Sequence, residues 1–262
     1  MNLTPHNEQA EKLLARGIKA VLLVISLLGS AQAASFKMTS YALIGTQTKP
    51  VFAWCDAKDR ILAVTPPSSP LSGPNDVSEV SLLRWLKNKP TQSTFKYKLG
   101  PMEGAAGSTY VGLIPAGFKA TSDLTSKYFI HLSNVESPAG MGYRMQRVVR
   151  FKTMQGENAC RYVPNAAFLG ATGKRTVIVW DEGDTITYAT RNFNGTPGVY
   201  VTGGSKKTPS GTVTYDFSTD DGYAYHLQIN TAPRPSVLTV KRSGKTVQTE
   251  TFLAYSVSIP SN

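Results

Sequence analysis

Cysteine, histidine and acid are all scarce in this chain, and each scarcity removes a class of chemistry. Two cysteines and three histidines occur among 262 residues. Neither CxxC nor HExxH spacing is present, so the common zinc sites lack their ligand sets. Seventeen acidic residues stand against 28 basic ones. Asp181, Glu182, Asp184, Asp220 and Asp221 lie beside glycines in turn-like sequence. Acids there cap turn backbones, which argues against the facing carboxylates of a glycosidase. Residues 216–222 lack the ligand spacing of a calcium loop, and no GxSxG elbow marks a hydrolase nucleophile. No cofactor is expected. Beyond residue 29 no apolar run approaches the roughly 20 residues needed to span a bilayer.

What is present begins with an export signal. Lys12, Arg16 and Lys19 precede an apolar run at residues 20–29, and Ala31 and Ala33 supply small-x-small cleavage spacing. Residues 1–33 therefore read as a signal peptide, with no cysteine after the site to carry a lipid. The expected compartment is the periplasm, with secretion or surface display as alternatives. No integral membrane segment is expected after cleavage, and no intracellular nucleic acid as partner. In an oxidising compartment Cys55 and Cys160 read as one disulfide. Closing a loop of that length stabilises by about 4–5 kcal/mol. Two separately buried thiols are the alternative.

Strand signals dominate the rest. Phe95, Tyr97 and Leu99 alternate with Thr94, Lys96 and Lys98, and Val213, Tyr215 and Phe217 do the same across residues 212–217. Tyr223, Tyr225, Leu227 and Ile229 place His226 and Gln228 on the opposite face. Val247 to Val257 holds the same period of two in a single long line. From Lys174 onward, turns at short intervals predict an up-and-down meander of about seven strands, closed as a barrel or packed as a sandwich.

The first half is less regular. Strands are expected at 36–44, 51–54, 60–65, 94–99, 108–114, 127–135 and 142–153, with an irregular loop at 66–74. Asp76 and Glu79 have capping-box spacing, which predicts a short helix over 79–88 ended by Pro90. The expected fold is all-β, an antiparallel sandwich or barrel-like meander with that one helix in the first part. Two β domains, 34–165 and 166–262, are expected, with one continuous sandwich as the alternative.

Charge carries the functional expectation. The leader holds three cations and two carboxylates, so its removal lowers the formal net charge from +11 to +10. Residues 34–160 carry 15 basic and 8 acidic side chains, and residues 161–262 carry 10 and 7. A strand over 143–152 would put Arg144, Arg150 and Lys152 on one face, and Lys96 and Lys98 occupy the polar face of another strand. Were those strands neighbours, they would form a cationic face suited to an anionic envelope component or an acidic protein. Solvated lysines that discourage strand pairing are the plainer alternative. Residues 203–208, with paired glycines and lysines, read either as an anion nest or as a hairpin loop. The expected function is thus a non-enzymatic, exported binding or structural protein of the cell envelope. Two alternatives stand beside it: a subunit of a secretion apparatus or surface appendage, and a hydrolase using His131 or His226.

Overall fold

The computed structural model describes residues 35–261 apart from 88, 134–146, 210 and 231. Among the described residues twenty strands, with one short helix beside them, form three antiparallel sheets, as the alternation predicts. The first eight-stranded sheet runs β3 (Ala53–Asp56), β4 (Arg60–Val64), β5 (Ser78–Leu86), β6 (Lys89–Ala105), β7 (Ser108–Pro115), β8 (Phe129–Ser133), β9 (Arg147–Thr153) and β10 (Gly156–Ala159). Every strand pairs with its neighbour in sequence, and the sheet curls until it is nearly closed. Cys55, Leu62, Leu82, Tyr97, Leu99, Val111, Ile130 and Phe151 fill its interior.

A seven-stranded central sheet lies against this barrel. It comprises β1 (Ser35–Ile44), β2 (Gln47–Pro50), β11 (Phe168–Ala171), β12 (Arg175–Asp181), β13 (Ile186–Asn192), β14 (Tyr200–Thr202) and β20 (Ala254–Ser261). Its order is β14-β13-β12-β11-β20-β1-β2, so β20 lies between β11 and β1, the first strand described. A third sheet holds β15 (Ser205–Lys207), β16 (Thr212–Ser218), β17 (Tyr223–Asn230), β18 (Val237–Arg242) and β19 (Lys245–Thr251) in sequence order.

Both faces of the central sheet are buried. Tyr41, Phe168, Val177, Val179 and Tyr255 pack against Tyr215, Phe217, Tyr225 and Leu227 of the third sheet. The alternate residues Ala42, Leu169, Ala171 and Ala254 pack against Trp54, Ile61, Leu83 and Trp85 on the barrel's outer wall. The period of two assigns neighbouring residues of one strand to two different cores. The meander expected after residue 174 is accordingly divided, β12–β14 and β20 entering the central sheet and β15–β19 the third, as a sandwich.

Three local expectations need correction. Residues 79–88 do not form a helix: Ser78–Leu86 is β5. Val80 and Leu82 enter the barrel interior while Leu83 and Trp85 face the central sheet. Apolar pairs for two cores imitate helical spacing, and burial on both faces outweighs local propensity. Asp76 does cap backbone, but its carboxylate accepts from the N–H groups of Ser72 and Gly73 in the preceding turn. The helix is instead α1 (Ser122–Lys127), packed over β7 where Gly112 leaves room for the Thr125 methyl. The line from Val247 to Val257 is broken at Phe252–Leu253, where the chain passes from the third sheet into the central one. Finally, the residues read as nest or loop include a strand, with Lys206 opposite Tyr215 in the register.

The barrel closes on its disulfide. Cys55 on β3 is bonded to Cys160, just past β10, across 105 residues of sequence. The Arg161 N–H donates to the Asp56 carbonyl at 3.0 Å beside it. Replacing both cysteines by alanine is expected to cost about 4–5 kcal/mol on the loop-entropy model. Urea unfolding of the variant, and of the wild type with and without reductant, measures that loss.

Candidate functional site

Alternation along β3 sends Ala53 and Cys55 into the barrel and Trp54 and Asp56 towards the central sheet. Trp54 Nε1 donates to Ser256 Oγ at 2.7 Å. Asp56, with a fully buried side chain, gathers three partners from distant parts of the chain. Lys87 Nζ stands 2.5 Å from Oδ1, and Arg161 Nε is 2.8 Å from Oδ2. Thr176 Oγ1, on β12, donates to Oδ2 at 2.6 Å. One carboxylate therefore answers two cations, and the node keeps a net positive charge.

That node forms the inner wall of a recess of about 550 Å³. The turn after β3 adds Lys58, the segment after β10 adds Arg161, and the end of β13 adds Arg191, Asn192 and Phe193. Lys58 and Arg191 are exposed, and neither is ion-paired among the described residues. Four cations thus face the space with one carboxylate. A second recess of about 490 Å³ shares Lys87, Asn192, Phe193 and Thr196, and adds Lys174, Arg175 and Gln248.

The loop common to both recesses is well braced. Asn192 Nδ2 donates to Thr196 Oγ1 at 3.0 Å and to the Pro197 carbonyl at 2.8 Å. Gly198 presses against β13, where any Cβ would collide with the Thr190 carbonyl oxygen. The Lys87 ammonium lies 4.2 Å from the centre of the Phe193 ring, a cation–π contact that fixes that side chain. Concave, polar and braced, this region fits an anion better than an apolar ligand.

The cations singled out in the sequence lie elsewhere. Lys96 and Lys98 are on β6, opposite Ser81 and Glu79 of β5, and line a third recess of about 480 Å³. Arg150 and Lys152 are on β9, and β7 and β8 separate that strand from β6. Arg150 is paired with Glu157 of β10 at 2.5 Å, and the Lys152 ammonium lies 5.6 Å from the Phe129 ring centre. Arg144 falls outside the described residues.

His131, on the outer face of β8, meets Ser108 Oγ through Nε2 at 2.9 Å and stacks on Tyr110 with centroids 4.3 Å apart. Burial, then the neighbouring Arg150 and Arg147, push its pKa below the usual imidazole value. Among the described residues its buried Nδ1 has no hydrogen-bond partner, so no described carboxylate orients the ring as a catalytic triad requires. His226 Nδ1 lies 2.7 Å from Asp216 Oδ1 on the outer face of the third sheet. Its side chain and that of Asp216 are 38% and 46% exposed, so this pair stands in water rather than in a desolvated pocket.

Among the described residues no cluster of three or more His, Cys, Asp or Glu side chains is placed to hold a metal. No described helix is long and apolar enough to cross a membrane. Comparison with known proteins finds no matching family model, no matching curated protein and no matching solved structure.

Two consequences are measurable. Removing the Asp56 carboxylate leaves Lys87 buried beside an uncompensated Arg161, so Asp56→Ala should cost about 3–5 kcal/mol, read from its denaturation midpoint. For His131, the unfolded chain takes up a proton near the ordinary value of about 6.5, while the folded chain resists until lower pH. Its contribution to stability is full above that value and is lost as pH falls towards the depressed one. His131→Gln should flatten the slope of unfolding free energy between about pH 7 and 5.

Proposed function

We propose that this is an exported, non-catalytic binding protein of the cell envelope that holds an anionic component in the cationic recess around Lys58, Arg161 and Arg191. The observation that carries the reading is the imbalance there: four cations and one carboxylate line one concave space. Lys87 and Arg161 already spend their attraction on Asp56, whereas Lys58 and Arg191 are exposed to an incoming ligand. The signal-like start and the Cys55–Cys160 bridge support an oxidising compartment. The isolated Ser108–His131 pair and the solvated His226–Asp216 pair favour binding over hydrolysis. Lys96, Lys98, Arg150 and Lys152 supply a wider positive field that steers anions towards the barrel.

Full-length protein produced with its own leader tests this. N-terminal sequencing of the envelope fraction should begin at Ala34. An envelope extract passed over the immobilised protein should yield a ligand that elutes as salt rises from 0.05 to 0.5 M, a range over which screening shortens markedly. Lys58→Glu with Arg191→Glu should abolish that retention. A chain recovered intact from the cytoplasm, or retention untouched by salt and by both reversals, would remove the reading.

A further inference from the structure

The two recesses beside the residue 193–196 loop share Lys87, Asn192, Phe193 and Thr196, so they are neighbouring compartments with a common wall. Each carries exposed cations of its own: Lys58 and Arg191 in the first, Lys174 in the second. Arg175 in the second is turned towards Glu250 at 3.0 Å and is largely buried, which leaves Lys174 as the accessible charge. A single small anion would need one compartment. Two cationic compartments with a shared wall match a ligand that carries acidic groups at intervals.

The lining between the charges identifies the class further. Asn192, Asn194, Thr196 and Gln248 line the wall between the charges with amides and a hydroxyl already hydrogen-bonded to one another and to Pro197, Arg175 and Glu250, a fixed polar surface of the kind that sugar hydroxyls meet. Phe193 is the one aromatic side chain lining either recess, and the Lys87 ammonium already lies over its ring. A single-stranded nucleic acid draws its affinity from successive bases stacked on aromatic platforms, and that provision is missing. Resting on the anion-binding reading above, we infer that the ligand is a linear acidic oligosaccharide lying across the residue 193–196 loop. Its carboxylate or phosphate groups reach Lys58 and Arg191 on one side and Lys174 on the other.

Calorimetric titration of the full-length, exported protein distinguishes the possibilities. The probes are galacturonic acid, a galacturonate octamer, a phosphorylated oligomannoside of similar length, and a single-stranded oligothymidylate of equal charge. The octamer or the phosphorylated oligomer should bind at least tenfold more tightly than the monosaccharide, and whichever is tighter names the acidic group. Lys174→Glu should reduce oligomer affinity about tenfold and so bring it towards that of the monosaccharide. Lys58→Glu with Arg191→Glu should remove both. The exposed positions of all three side chains keep these variants folded, and circular dichroism verifies it. Equal affinity for monomer and oligomer, with no effect of Lys174→Glu, would overturn the spanning ligand while the anion-binding reading survives. Tighter binding of the oligothymidylate would overturn the saccharide class. Failure of every anion to bind would remove both proposals.

Discussion

The buried carboxylate of Asp56 ties the three covalently distant parts of this molecule to one point. It meets Arg161 across the barrel seam, Lys87 at the end of β5 and Thr176 on the central sheet. A charge taken out of water is costly unless it is answered by partners with good geometry. Here the answer comes from every element whose position must agree: the first barrel strand, the closing segment and the sheet behind. The adjacent disulfide fixes the same seam covalently, one residue earlier on each side. Any slip of β3 by one residue would send Asp56 into the apolar barrel and Cys55 out of reach of Cys160. The seam therefore specifies register as well as closure, and it is also what places positive charge beside the cleft.

The central sheet explains why the sequence looks less patterned than the fold is. A sheet solvated on one face writes alternating polar and apolar residues. A sheet buried on both faces writes continuous apolar runs, as in Arg175–Asp181, where Val177 and Val179 serve one core and Ile178 and Trp180 the other. Size separates the two sides near the middle: Tyr41 and Tyr255 face the third sheet, while Ala42 and Ala254 let the barrel approach closely. Tyr188 illustrates the cost of such depth, since burial drives its hydroxyl pKa far above the ordinary phenol value.

Where one face meets water, the strands were legible. Thr212–Ser218 extends the expected 212–217 by one residue, and His226 lies opposite Tyr225 and Leu227 as the alternation requires. The misreading of β5 as a helix has the converse cause, since Leu82 and Leu83 belong to different cores. The line through residues 247–257 concealed a change of sheet because the sequence keeps alternating across it, although Val247 is exposed, Leu253 faces the barrel and Tyr255 and Val257 face the third sheet. The cleft could not be read locally at all. Lys58, Lys87, Arg161, Lys174 and Arg191 belong to five separated segments, whereas the cations that did cluster along a strand remain spread over the barrel wall. Only the alternation of β3, which turns Asp56 away from Cys55, hinted that a charge would face the sheet behind.

The pairing of β1 with β20 imposes an order of assembly. Ser40 and Ser256 lie opposite one another and share a side-chain hydrogen bond across 216 residues of sequence. All eight barrel strands and Cys160 precede β11 in the chain, so the barrel has its full complement of strands long before β1 acquires its partner. Until then β1 has only the short β2 on one side and an unpaired row of backbone groups on the other, the arrangement that invites pairing between molecules. Long-range strand pairing is also slow to form. β20, the last of the described strands in sequence, is thus a bolt that slides between β11 and β1, and the edge of β1 stays open until it does.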